Sequence, residues 1–176
     1  MAREEAGAPT ARGVQFRIER FVDVFGEWTS WLAIVIVLLM ATAVVLRYLF
    51  SAGTVWEQEL EWHLLSPLIL FGMSYAMRHG EHVRVDVLYA KFSDRAKQAV
   101  NLFSAVLAMI ISVLIIWYSI KYVQQAYVID EGSPDPGGIP HRFILKSFVP
   151  LGFGILLLQS FATAVGSFIK LRATQK

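Results

Sequence analysis

The chain has 176 residues, of which 56% are hydrophobic and 17% are charged, and its mean hydropathy is +0.52. Soluble domains carry about 25% charged residues, so this composition indicates a membrane protein. The net charge of +2 is small and dispersed, which argues against a nucleic-acid partner. The chain contains no cysteine, which excludes disulfides, thiolate metal sites and a cysteine nucleophile.

The first 27 residues divide into two parts by their pattern. Residues 1–13 are small and polar, and we expect them to be disordered. Residues 14–27 place apolar and charged side chains at helical spacing, which predicts an amphipathic arm helix. Two interpretations stay open for this arm. It lies against membrane lipid or braces a neighbour, or it extends the first span out of the membrane.

Four charge-poor segments predict four transmembrane helices, which form an all-α domain over residues 28–170. A helix needs ~20 residues to cross ~30 Å of hydrocarbon. We place the spans at about 28–50, 60–78, 99–122 and 147–169, followed by a tail over residues 171–176. The first span continues into Arg47 without a small-residue cleavage site, so we expect it to remain as an anchor.

Lysine and arginine are distributed unevenly along the chain. Twelve of the 16 lie in the N-terminal arm, in the connection after the second span and in the C-terminal tail. The positive-inside rule therefore predicts that both termini and the connection after the second span are cytoplasmic.

Helix boundaries are marked by local signals. Thr54 with Glu57 three residues later predicts a capping box, which starts the second helix near Val55. Ser93 is a candidate cap for the third helix, whose pattern runs for about 38 residues until Gly132 and Pro134. The segment DEGSPDPGGIPHRF that follows predicts a turn-rich loop, because proline and glycine at this density cannot continue a helix.

Three glutamates, Glu57, Glu59 and Glu61, lie at the start of the second helix. Negative charge is favourable near a helix N-terminus, and solvation there explains most of this cluster. For Glu59 we favour a salt bridge to another subunit.

The segment MRHGEHVRVDVLY places His79, His82 and Asp86 at spacings that resemble a metal site. Gly80 interrupts the helix inside this triplet, and a zinc site also requires further strong ligands. We therefore interpret the segment as a turn in which Arg84 and Asp86 hold the chain against another polypeptide.

Small and polar residues form stripes on three of the predicted spans. Such stripes mark helix-packing faces in lipid, because small side chains let two backbones approach. Packing within the chain accounts for part of them, and the excess predicts a partner subunit. The stripes comprise Asn101, Ser104, Ala108, Ser112 and Ser119 on the third span, Gly152, Gln159, Thr163 and Gly166 on the fourth, and Gly72 with Ala76 on the second.

The interiors of all four spans lack Asp, Glu, Lys and Arg. A pump or symporter requires ionisable groups at mid-bilayer, so we expect that this chain transports nothing by itself. Two other hypotheses stay open. One is a haem-binding membrane anchor that uses His63, or His79 with His82, and the other is a small self-assembling exporter that uses the three glutamates for proton exchange.

Four segments together resemble the small membrane subunit (DctQ type) of tripartite ATP-independent periplasmic, or TRAP, transporters. They are VLRYLF, WEQEL, FGMSYAMRHGEHVRVDVLY and VPLGFGILLLQ, and the similarity covers about residues 20–170. Its most specific matches are Gly72, Gly80, His82, Val83, Val85 and Asp86. Glu59 matches the acidic residue after the family's tryptophan, and Pro150, Gly152 and Gln159 match its last span.

The resemblance implies a transport component and not an enzyme. It implies a fixed brace without a cofactor of its own, next to a large membrane subunit (DctM type) that moves an organic acid or related small solute with sodium ions. A periplasmic substrate-binding protein (DctP type) delivers the solute. The residues proposed for subunit interfaces and assembly are Trp56, Glu59, Gly72, His82, Arg84, Asp86, Asn101, Ser112, Gly152 and Gln159.

Overall fold

The computed structural model describes residues 2–81 and 92–173, with side chains described for residues 12–81 and 92–172. This part of the chain is all-helical, as the composition predicted, and forms four helices. They are α1 (Ala2–Phe50), α2 (Val55–His79), α3 (Asp94–Val128) and α4 (Phe143–Ala173).

The predicted arm and the first span form one continuous helix, α1, of 49 residues. α1 includes residues 2–13, for which the sequence predicted disorder, and it continues from residues 14–27 into the first span, as the second interpretation of the arm proposed. Gly26 lies within α1 and permits close packing, because a Cβ atom there would overlap the Tyr75 ring of α2. At ~1.5 Å per residue α1 is ~73 Å long, more than twice the thickness of the hydrocarbon layer.

Local signals set both ends of α2 and the start of α3 where the sequence predicted them, whereas α3 ends at Val128 after 35 residues rather than continuing to Gly132. The capping box of Thr54 and Glu57 is present in both directions, at 3.2 and 3.3 Å, and α2 begins at Val55. Gly80 ends α2 with a left-handed φ of 76°. The Ser93 hydroxyl accepts a hydrogen bond from the Ala96 N–H at 3.3 Å at the start of α3.

Buried residues recur every seven positions on two helices. On α1 they are Val22, Thr29, Ile36 and Ala43, and on α3 they are Ala105, Ser112, Ser119 and Ala126. A seven-residue period keeps one face against a neighbour that crosses at a shallow angle of about 20°. α1 packs on α2 and α4, α2 packs on α4, and α3 packs mainly on α4, which is therefore the centre of the bundle.

Three helical segments are long and apolar enough to cross a membrane: Arg12–Phe50, Asp94–Val128 and Phe143–Arg172. α2 is less apolar, because Glu61, His63 and Pro67 lie inside or beside its hydrophobic part. Pro67 is buried within α2, whose helical assignment is continuous on both sides of the proline. The described chain is therefore a multi-pass membrane protein.

Candidate functional site

The residues that could anchor a partner lie at the two ends of α2. We call Glu59 with its partners Ser133, Ile139 and Arg142 the Glu59 cluster. The Glu59 carboxylate is only 2% exposed. It accepts hydrogen bonds from the Ser133 hydroxyl and, at 2.6 Å, from the Ile139 backbone N–H. The loop between α3 and α4 is thereby tied to the second turn of α2.

The charge of Glu59 is matched inside the same cluster. A guanidinium nitrogen of Arg142 lies 3.7 Å from the carboxylate. The Ser133 hydrogen bond and then the Ile139 hydrogen bond lower the pKa of Glu59 below its usual value, and together with Arg142 they outweigh the effect of burial. The carboxylate is therefore ionised at neutral pH and accepts hydrogen bonds with its full charge.

Gly138 permits the close approach of the loop to Glu59. A Cβ atom on Gly138 would overlap the Ser133 side chain and lie 2.7 Å from a carboxylate oxygen of Glu59. Its neighbour Gly137 has a φ of 84°, which L residues rarely adopt. Gly137 thus serves the turn, and Gly138 permits the close approach to α2.

A second set of contacts closes the same loop between α3 and α4. Lys146 of α4 pairs with Glu131, and its ammonium lies 3.9 Å from the centre of the Tyr122 ring. The backbone N–H of Arg142 also donates to the carbonyl of Glu131 at 2.8 Å. These contacts make the proline- and glycine-rich loop an ordered part of the bundle.

The other end of α2 carries an ionic cluster with α1, which we call the Arg78 cluster. Arg78 lies 3.4 Å from Glu19 and 3.6 Å from Asp23, and His79 lies 3.0 Å from Asp23. The Tyr75 ring one turn earlier covers Gly26 of α1 and lies against the His79 ring, with the ring centres 4.3 Å apart and the ring planes tilted by 47°. This cluster joins the N-terminal arm to α2 and holds both helices in one register.

The structure gives Glu59 partners within its own chain, because both carboxylate oxygens are bonded there. The salt bridge to another subunit, which the sequence favoured for Glu59, stays a prediction. The sequence could not identify Ser133, Ile139 and Arg142 as its partners, because they lie more than 70 positions away.

Three other candidate interface residues also face the interior of this chain. Ser112 is fully buried on the face of α3 that packs on α4. A Cβ atom on Gly152 of α4 would lie 2.7 Å from the Leu70 Cβ atom of α2. Gln159 is 1% exposed and donates to the Thr163 hydroxyl at 3.3 Å. Their small or buried side chains serve the packing of α4 against its neighbours.

The remaining candidates have different surroundings. Trp56 is 48% exposed, and Gly72 has open space where a Cβ atom would lie. Asn101 is half-buried on α3. A role for these three in contact with a partner stays a prediction. His82, Arg84 and Asp86 lie outside the described residues, so their proposed part in assembly also stays a prediction.

The sequence interpretation missed the Arg78 cluster. Its signal was present: Glu19 and Asp23 are four residues apart, on the side of the arm that also carries Val22 and Gly26. Acids on a packing face require a cation from a neighbouring helix. Within the described part of the chain, no three His, Asp or Glu side chains come together as a metal site would require.

Comparison with known proteins identifies the family. Residues 36–169 match the DctQ component of tripartite ATP-independent periplasmic transporters. The small permease protein TeaB of the ectoine TRAP transporter of Halomonas elongata is 31% identical over 134 residues, which cover 73% of this chain and 68% of TeaB. The sialic acid TRAP transporter permease protein SiaT of Haemophilus influenzae is 25% identical over 130 residues, which cover 73% of this chain but 20% of SiaT.

The match to a small permease and to one fifth of a much longer permease implies a large membrane partner for this chain. The helices described above agree with a multi-pass protein of the inner membrane. The chain belongs to the DctQ family of TRAP transporter components, and it is a small permease subunit rather than an enzyme.

Proposed function

We propose that this subunit is a fixed scaffold for a large DctM-type subunit, in sodium-coupled and binding-protein-dependent uptake of an organic acid or related small solute. The observation that carries the proposal is the absence of Asp, Glu, Lys and Arg from the apolar interiors of the four helices. A solute and its coupling ions need polar ligands at mid-bilayer, so the larger partner supplies their path.

The two ionic clusters support a static role. Glu59 near the start of α2 is bonded to the loop between α3 and α4, and Arg78 at its end is paired with Glu19 and Asp23 of α1, so the described helices are held together as one unit. Gly26 and Gly152 add close contacts of α2 with α1 and α4. Ionic contacts at both ends of α2 and close helix contacts between them support a rigid subunit, as a scaffold role requires.

The proposal includes four spans with both termini in the cytoplasm. α2 provides the fourth span, with Glu59 at one interface and the Arg78 cluster at the other. The asymmetry of lysine and arginine supports this orientation. The loop that Glu59 holds is then periplasmic and faces the side from which a DctP-type binding protein arrives.

The chemistry of the histidines and glutamates favours the scaffold over the two other hypotheses. His63 uses Nδ1 in a 2.7 Å contact with the Glu59 carbonyl, and His79 is paired with Asp23. Glu57 caps its own helix and Glu59 is enclosed in its cluster. Neither a pair of facing haem ligands nor a free proton-exchanging acid is formed by these four residues.

The test is co-expression of the tagged chain with the large subunit encoded beside it. We expect the two to purify as one complex and to restore sodium-dependent uptake in vesicles when the binding protein is added. Candidate solutes include organic acids, sialic acid and ectoine. Recovery of this chain alone, with uptake by the large subunit undiminished in its absence, would refute the scaffold role. Replacement of sodium by potassium tests the coupling ion separately.

A further inference from the structure

The arm portion of α1 has one face that no other described helix covers. Helical geometry at about 100° per residue places Arg17, Arg20, Val24, Trp28 and Trp31 within an arc of about 80°. We call these five residues the outward face. Trp28 is 74% exposed and Trp31 is 65% exposed. The buried residues Val22, Gly26 and Thr29 lie on the opposite side of the same helix, against the bundle.

Charge is segregated between the two sides of the arm. The acids Glu19 and Asp23 turn toward α2 and are paired with Arg78 and His79. Arg17 and Arg20 are exposed, and among the described side chains no acid lies within ion-pair distance of either. Glu27 is the nearest acid along the exposed side, about 10 Å of helix rise from Arg20. The outward face therefore presents two adjacent positive charges at its outer end.

The apolar residues of this face indicate its depth. Tryptophan is enriched where the hydrocarbon layer meets the headgroups, and the charge-free part of α1 begins at Trp28. Val24 lies one helical turn before Trp28, toward the N-terminus, and is 49% exposed. Its apolar side chain is therefore available to contact an acyl chain. Arg20 lies ~12 Å along the helix from Trp28, and its long side chain can reach back to the headgroup layer, which extends ~5–8 Å beyond the hydrocarbon.

We propose that the outward face binds an anionic phospholipid, with its phosphate held by Arg17 and Arg20 and its acyl chains packed on Val24, Trp28 and Trp31. Guanidinium groups form paired, charge-assisted hydrogen bonds with phosphate oxygens. A zwitterionic headgroup carries an ammonium that offsets the charge of its own phosphate, whereas an anionic headgroup keeps a net negative charge for the two arginines, and this difference favours the anionic lipid. The site is separate from the ionic contacts that hold the subunit together.

The test is native mass spectrometry of the full chain, co-expressed with its large subunit and equilibrated with phosphatidylglycerol or phosphatidylcholine. We expect preferential retention of phosphatidylglycerol. Arg17→Gln with Arg20→Gln should weaken that binding about thirtyfold, and Arg20→Gln alone about fivefold. Arg47→Gln, at the other end of α1, is the matched control and should leave binding unchanged.

Two further results separate the possible occupants. Arg17→Lys with Arg20→Lys keeps the charge and should keep most of the selectivity, which distinguishes loss of binding from loss of folding. Equal phosphatidylglycerol retention by the wild type and the glutamine double variant would overturn the site. Loss of the large subunit with lipid retention unchanged would also overturn it, because the face would then belong to a protein interface. Lipid retention is measured without transport. Failure of the scaffold proposal would appear as loss of co-purification and of uptake, whereas failure of the lipid site would appear as unchanged phosphatidylglycerol retention in the glutamine double variant.

Discussion

The Glu59 carboxylate on α2 accepts a 2.6 Å hydrogen bond from the backbone N–H of Ile139, 80 residues further along the chain. This contact fastens the loop between α3 and α4 to α2, a helix that is not adjacent to the loop in the sequence. The same carboxylate accepts a hydrogen bond from the Ser133 hydroxyl and faces Arg142, so one side chain contacts three residues of the loop. Together with the pair of Lys146 and Glu131, it holds the loop against the bundle.

Glu59→Gln should loosen the loop while leaving the helices intact. The amide is neutral and has one oxygen instead of two, so it cannot satisfy Ser133, Ile139 and Arg142 together. We expect faster hydrogen exchange for backbone amides of residues 133–142 and a lower Tm. Glu61→Gln, two residues later on the same helix, is the control and should change neither. Unchanged exchange in Glu59→Gln would show that the loop is held by other contacts.

The contribution of Glu59 to stability should depend on pH. Its pKa in the folded protein lies below the usual value of 4.5, so its stabilising effect is complete above that pH and is lost as the pH falls through the lower, folded pKa. The Tm difference between the wild type and Glu59→Gln should therefore be constant from pH 6 to about pH 8 and shrink below about pH 4.5. A difference that grows on acidification would contradict the assigned ionisation.

Gly152→Ala should weaken the contact between α2 and α4. The new methyl group would lie 2.7 Å from the Leu70 Cβ atom and 3.0 Å from its carbonyl oxygen, and the backbone cannot yield locally. Overpacking of this kind costs about 1–3 kcal/mol. Gly154→Ala is a matched control, because nothing lies within 4 Å of its Cβ position. It should be neutral or stabilise α4 by up to about 1 kcal/mol through helix propensity. Thermal unfolding in detergent compares the two, and equal Tm values would sink the prediction.

Arg78→Ala should release the arm from α2. The guanidinium is one-third exposed, so we expect a modest loss of about 1 kcal/mol rather than the larger cost of a fully buried charge. Proteolysis or spin-label distances between α1 and α2 would report the separation. Arg95→Ala, an exposed arginine at the start of α3, is the control. Exchange of charges, with Arg78→Glu and Glu19→Arg, should recover part of the contact if the ion pair is responsible.

Asp86→Ala should reduce the yield of the complex with the large subunit more than Glu81→Ala does. The reason comes from the sequence: Asp86 belongs to the most specific part of the family pattern, and Glu81 does not. Loss of one partner of an interface ion pair strands the other charge, which costs about 3–5 kcal/mol when the site is buried. Affinity purification with quantitation of both subunits measures the effect, and equal yields for the two variants would refute the assignment.

Local chemistry was sufficient to locate the ends of two helices. The capping box at Thr54, the cap at Ser93 and the stop at Gly80 each act within about four residues, so their pattern can be read along the chain. Composition likewise established a helical membrane protein, because hydrocarbon requires long apolar helices. The charge-free spans and the family motif also follow from the order of residues alone.

Long-range partners were decided by how the helices pack. The chain order does not indicate that Glu59 meets Ser133 and Ile139 of the loop between α3 and α4, or that Arg78 of α2 meets Glu19 of α1. These contacts depend on how α2 packs against α1 and α4, where Gly26 and Gly152 allow close approach. A helical pattern assigns a residue to one face of its helix, but it does not say which residues that face will meet. The position of Glu59 near the helix start could therefore be predicted, whereas its partners within the chain could not.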